Sequence, residues 1–317
     1  MSEGGTGRFV PVRGLRYYVE ETPAAGAGPP VAGHATPTAR GTAPAGATGA
    51  NGARSGRDGR EEPAVLLHGF TGSTATWDPV RVELARYGPL LAVDLIGHGR
   101  TDAPPDPARY RMEECVADLL ALFDRLGLRR VHLVGYSMGG RVALSLAVAA
   151  PGRVASLVLE SASPGLADPA ERERRRQQDE ALARRIEEEG LEAFVRYWES
   201  LPLFASQQRL PAEVRARVRA GRLAQRPHGL AGSLRGMGAG VQPPVWDRLG
   251  GLDLPVLYLA GELDAKYAAM GREVVSRLPR GRLVIVPGAG HTVHLERPAE
   301  FAREVGAFWS EVRGVTP

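Results

Sequence analysis

The chain has 317 residues, 43% of them hydrophobic, enough for one large α/β domain carrying an inserted subdomain. Its formal net charge of +4 is small and dispersed, and no aromatic-basic motif accompanies it, which argues against a nucleic-acid partner. A single cysteine, Cys115, excludes an intrachain disulfide and reads as a structural thiol in a helix. In chain order, Phe9 to Val12 and Leu15 to Glu20 predict two short strands joined at Gly14. From residue 22 to 62 the composition turns to Gly, Ala, Pro, Thr and Arg with almost no large apolar residue. Such a stretch buries too little surface to offset its ordering entropy, so it reads as a flexible insertion, with His34 inert. A docking segment is the alternative; low-complexity loops more often act as spacers.

The fold resumes at Ala64 to Leu67, a buried strand leading into His68-Gly69-Phe70. A helix over Thr76 to Tyr87, a strand over Leu90 to Leu95 and a helix over Tyr110 to Leu126 follow, the last marked by Val116, Leu119, Leu120 and Phe123 at helical spacing. Val131 to Val134 reads as a strand and Gly140 to Ala147 as a helix. Between them stands Gly135-Tyr136-Ser137-Met138-Gly139. A serine on a sharp strand-to-helix turn has its hydroxyl pushed clear of the backbone, and the flanking glycines avoid collisions. This is the nucleophile elbow of the α/β-hydrolase fold. An ordinary Gly-rich β–α turn is the alternative.

Val154 to Glu160 is a further strand, after which the alternation stops. Residues 166–246 hold no convincing strand and read as helices over Pro169 to Glu189, Leu191 to Ser200, Pro211 to Leu223 and His228 to Met237. This predicts a helical cap roofing the serine. Strands over Pro255 to Ala260 and Leu283 to Val286 and a helix over Arg297 to Val312 complete a mostly parallel sheet flanked by helices. The α/β-hydrolase core is thus expected over 1–21, 63–165 and 247–317, the insertion over 22–62 and the cap over 166–246.

A serine hydroxyl needs a histidine to take its proton, and that histidine needs an orienting carboxylate. In this fold the order is serine, acid, histidine. The histidine is assigned to His291, directly after Gly288-Ala289-Gly290; His294 is the rival. His98, His132 and His228 read as structural. The acid is assigned to Asp264 after the strand ending at Ala260, with a turn or helix N-cap role as the alternative. Glu262 lies too close to the strand end, and Asp94, which precedes the serine, reads as structural. The oxyanion donors are expected to be the backbone N–H groups of Met138 and Phe70; the Phe70 side chain could equally be core.

These motifs resemble one family. Gly135 to Arg141, Asp94-Leu95-Ile96-Gly97-His98-Gly99, Gly261 to Tyr267 and Ala289 to Glu296, with Pro164-Gly165-Leu166, Leu234 to Gly238 and Gln242-Pro243, are similar to the 2-succinyl-6-hydroxy-2,4-cyclohexadiene-1-carboxylate synthases. The resemblance runs from about Phe9 to Phe308, apart from the 22–62 stretch. It implies a lyase of menaquinone biosynthesis that eliminates pyruvate from 2-succinyl-5-enolpyruvyl-6-hydroxy-3-cyclohexene-1-carboxylate. Ser137, activated by His291 and Asp264, would act as base. It further implies that Tyr136, Arg141, Arg175, Trp198 and Arg222 line the substrate pocket. Arginine suits such a substrate, whose three carboxylates match a planar guanidinium fork. Arg141 lies one helical turn beyond Ser137. Taken on spacing alone, a run such as Glu171 to Arg176 is a solvated helix face and Trp198 is cap core.

Two rival functions share these residues. A carboxylesterase or C–C bond hydrolase uses the same triad, although pocket arginines favour a polyanionic small molecule. A non-catalytic ligand receptor can also retain the triad. Neither HExxH, clustered Cys/His, a P-loop nor a dinucleotide fingerprint is present, so no metal or cofactor is expected. No apolar run reaches the ~18–20 residues of a membrane span. The N-terminus lacks a signal-peptide layout. A cytoplasmic protein with no membrane partner, monomeric or weakly homo-oligomeric, is expected.

Overall fold

The computed structural model describes residues 5–26 and 62–314. The segment expected to be a flexible insertion, His34 included, lies almost wholly outside them. Among the described residues eight strands form one sheet, in the order β1-β2-β4-β3-β5-β6-β7-β8. β1 (Thr6–Val12) and β2 (Leu15–Thr22) make an antiparallel hairpin at one edge. Its two-residue turn puts Arg13 and Gly14 at φ 45° and 84°, the handedness a tight hairpin needs. β2 runs to Thr22, which pairs with Leu90, so the strand enters the stretch expected to be an insertion by one residue.

The remaining strands, β3 (Ala64–Leu67), β4 (Leu90–Val93), β5 (Val131–Tyr136), β6 (Val154–Glu160), β7 (Val256–Gly261) and β8 (Gly281–Val286), run parallel. Every residue of β3 to β7 is buried, as expected of strands covered on both faces. Their side chains alternate between two cores. Leu66, Val134, Val158 and Leu257 pack with Val80 and Leu84 of α1 (Asp78–Leu84) and with Phe301, Val305 and Trp309 of α9 (Pro298–Arg313). Leu67, Leu133, Leu157 and Tyr258 pack on the opposite face. Their partners lie on α2 (Met112–Arg125), α3 (Met138–Ala149) and α7 (Ala265–Arg277).

Between β6 and β7 the chain leaves the sheet for α4 (Pro169–Glu199), a 3₁₀ segment (Pro202–Arg209), α5 (Ala212–Leu223) and α6 (Pro227–Met237). Gly190, at φ 78°, kinks α4 where the sequence suggests two helices. These helices bury their own cluster of Ala183, Ile186, Phe194, Leu230 and Leu234, against which Phe70 packs from the sheet side. Arg235 of α6 clasps Glu180 and Glu187 of α4, and Arg219 of α5 holds Glu192 and Glu199. The expected helix over Thr76 to Tyr87 is instead a short α1 between two 3₁₀ turns, and β4 ends at Val93 rather than Leu95. No helix among the described residues is long and apolar enough to cross a membrane.

Candidate active site

Ser137 sits between β5 and α3 at φ 49°, ψ −106°, a backbone conformation costing ~1–3 kcal/mol that the surroundings must impose. They do so by close approach. A Cβ at Gly135 would stand 2.4 Å from the Gly139 carbonyl oxygen, and one at Gly139 2.1 Å from that of Leu67. Ser137 N–H donates to the Glu160 carbonyl at 2.8 Å, fixing the turn to β6.

His291 follows β8 in a loop that crosses Gly261, where a Cβ would meet the Gly290 carbonyl oxygen at 2.1 Å. The Glu296 carboxylate accepts from Gly290 N–H (2.8 Å) and Thr292 N–H (3.2 Å), clamping the loop on both sides of the histidine. His291 Nδ1 donates to Asp264 Oδ2 at 2.7 Å, and its Nε2 lies 3.1 Å from Ser137 Oγ. Asp264 and His291 are both buried, and the imidazole is boxed by Tyr136, Phe204 and Tyr267. Asp264 also caps α7 by accepting from Tyr267 N–H at 3.3 Å, so one carboxylate makes both the N-cap bond and the bond to the imidazole. His294 lies apart from Ser137's hydrogen bonds. Its Nδ1 donates to buried Glu160 at 2.7 Å, against the Trp77 and Tyr136 rings.

Burial lowers His68 to about 4 and His98 to about 3, so both are neutral. His68 Nε2 accepts from Leu95 N–H at 3.0 Å and its Nδ1 donates to the Gly69 carbonyl at 2.7 Å, aiming the loop that carries Phe70. Asp94 accepts from Thr74 and Arg100 N–H groups at 2.6 and 2.7 Å, and burial raises it to about 6. His132 shares a hydrogen bond with Ser156 Oγ at 2.8 Å.

A cavity of about 540 Å³ opens over Ser137 and His291, walled by Phe70, Tyr136, Met138, Arg141, Arg175 and Trp198 among others. Met138 begins α3, where an N–H has no acceptor within the helix. Arg141 donates to the Met237 carbonyl (2.7 Å) and Gln242 Oε1 (2.8 Å), and among the described residues it has no ion pair. Enclosure by protein lowers it to about 10, still fully charged at neutral pH. Arg175 reaches the cavity with its Nε held by Asp179 at 2.8 Å. Arg222 does not line this cavity. It lines a neighbouring one of about 290 Å³ beyond Tyr136, Trp198 and Phe204. There Glu199 binds it at 3.1 Å, and its guanidinium lies 5.2 Å from the Phe204 ring centroid. Glu296 and Gln242 hold positions that the sequence does not signal. Both stand in quoted motifs, but a carboxylate that grips two backbone N–H groups has no composition or period to betray it.

The chain matches the alpha/beta hydrolase fold family over residues 63–298. A Bacillus subtilis protein provisionally named 2-succinyl-6-hydroxy-2,4-cyclohexadiene-1-carboxylate synthase is 49% identical over 251 residues, 79% of this chain and 91% of that protein. The 2-succinyl-6-hydroxy-2,4-cyclohexadiene-1-carboxylate synthase of Salmonella paratyphi C is 34% identical over 74% of this chain and 88% of its own length. The structure of MenH from S. aureus superposes with a TM-score of 0.77 at 35% identity, covering 79% of this chain and 94% of that one. A thermophilic esterase from Thermogutta terrifontis shares the fold alone, with a TM-score of 0.76 at 24% identity.

Proposed function

The chain belongs to the 2-succinyl-6-hydroxy-2,4-cyclohexadiene-1-carboxylate synthase family, lyases of menaquinone biosynthesis on the alpha/beta-hydrolase fold, and from that premise we propose how its residues carry the reaction. The substrate is 2-succinyl-5-enolpyruvyl-6-hydroxy-3-cyclohexene-1-carboxylate, and the ring proton to be removed lies on the carbon bearing the succinyl group. Ser137 Oγ takes that proton as it passes its own to His291 Nε2, and Asp264 stabilises the imidazolium that results. Charge spreads onto the succinyl carbonyl oxygen, which the N–H groups of Phe70 and Met138 receive. The electron pair then moves through the ring double bond, the bond from ring carbon to enolpyruvyl oxygen breaks, and the departing enolate gains a proton on carbon to become pyruvate.

The observation that carries this reading is a serine–histidine–aspartate chain opening into a cavity whose wall holds an unpaired guanidinium, Arg141. A hydrolase of neutral esters has no use for an uncompensated charge there, because burying a cation without a partner is costly. A carboxylate of the substrate supplies the missing partner, with Arg175 beside it. The helical segment α4 to α6 serves as the cap that keeps water from the enolate, and Tyr136 and Trp198 give the ring its apolar walls. The test is pyruvate release from the enolpyruvyl substrate by purified protein, with a p-nitrophenyl ester run alongside. Pyruvate release in step with the rising cyclohexadiene absorbance is expected. Ester cleavage without pyruvate would keep the triad and reassign the protein as a hydrolase.

A further inference from the structure

Lysine and arginine together number 40 in this chain, and Lys266 is the only lysine among them. That lysine lines the cavity over Ser137. It sits two residues after Asp264, in the first turn of α7, the end of a helix that disfavours a cation. Nothing nearby compensates it: among the described residues its ammonium makes no ion pair or hydrogen bond. Its one cation–π contact is with the Tyr267 ring, 5.8 Å from ammonium to centroid, and Tyr267 in turn packs on His291. The other cations of the cavity differ. Arg141 is enclosed and held by Met237 and Gln242, Arg175 is tied to Asp179, and Arg277 is tied to Glu273. Lys266 is exposed and stands at the mouth.

We propose that Lys266 is a specificity-determining residue that binds, at the cavity mouth, a carboxylate of the substrate which Arg141 does not reach. This rests on the function proposed above, which supplies a substrate with more than one carboxylate. A compact ammonium on a flexible stem suits the task. It follows a carboxylate that moves as the substrate enters, where a planar guanidinium would demand one bidentate geometry.

The experiment compares Lys266→Gln and Lys266→Arg with wild type in pyruvate release and in p-nitrophenyl acetate cleavage, and measures tricarballylate binding to each by tryptophan fluorescence. Lys266→Gln is expected to raise KM for the enolpyruvyl substrate about tenfold with kcat within about twofold. The loss should exceed any loss on the uncharged ester by about the same factor. Lys266→Arg should return KM to within about threefold of wild type, and tricarballylate should bind Lys266→Gln about tenfold more weakly. An unchanged KM in Lys266→Gln, an equal loss on both substrates, or no recovery in Lys266→Arg would overturn the proposal. A wild-type protein that releases no pyruvate would instead overturn the proposed function, and tricarballylate binding would then decide the role of Lys266 by itself.

Discussion

The role proposed for Ser137 comes at a cost in backbone strain, which makes a prediction about stability as well as rate. Glycine adopts φ 49° freely, so Ser137→Gly relieves strain of ~1–3 kcal/mol while adding ~0.5–1 kcal/mol of unfolded-state entropy. A gain of about 1 kcal/mol with loss of pyruvate release is expected in a urea titration; a less stable variant would show that the turn is not strained. Arg141 makes a second case. Charge-assisted hydrogen bonds contribute about 1.5–3 kcal/mol, so Arg141→Met should raise KM for the enolpyruvyl substrate ~10- to 100-fold. The uncharged ester should be affected far less. Equal losses on the two substrates would mean that Arg141 serves the fold through Met237 and Gln242 rather than the substrate.

At the scale of elements, the loop from β8 to α8 (Val293–Glu296) depends on the Glu296 carboxylate, which accepts from both sides of His291. Glu296→Ala leaves the Gly290 and Thr292 N–H groups without their acceptor, costing about 1–3 kcal/mol of stability. It also frees the imidazole, and a displacement of ~1 Å costs up to ~10²-fold in rate. A drop in kcat with KM little changed is expected from steady-state kinetics; unchanged kcat would show that packing alone holds the histidine. This clamp was not legible in the sequence, whereas the elbow was, because its glycines, strand and helix are each a local pattern. α7 was also missed: Gly271 and the Val274–Val275 pair weaken its helical signal. The structure needs that glycine because a Cβ there would stand 2.7 Å from Tyr258. The short 3₁₀ segment at Pro202–Arg209 has too few turns to show a period. Arg222, which the resemblance sets in the substrate pocket, lies in the adjoining cavity, and only its packing around Phe204, which no sequence pattern records, decides which cavity it enters.

Across the whole molecule, the buried histidines set how stability depends on pH. Burial holds His68 at about 4 and His98 and His132 at about 3, against 6.5 unfolded. Their folded values are depressed, so the unfolded chain binds more protons, and their contribution, complete above about 6.5, is lost as pH falls toward 4 and 3. Asp94 has the opposite sign. Its folded value of about 6 lies above 3.8, so its contribution is full below 3.8 and lost as pH rises through 6. At pH 5 these four groups leave the unfolded state with a surplus of about two protons, a slope of roughly 3 kcal/mol per pH unit. The urea midpoint should therefore fall steeply between pH 6.5 and pH 5; a flat profile would mean that these histidines are not neutral in the fold. His68, His98 and Asp94 also hold the loops that follow β3 and β4, so loss of their native protonation loosens the loop that carries Phe70. On the proposed mechanism Ser137 is the base for pyruvate elimination. That role is tested most directly by following pyruvate release in wild type and in a folded Ser137→Ala variant. A loss of at least ~10²-fold is expected in the variant. Release within a few-fold of wild type would contradict it.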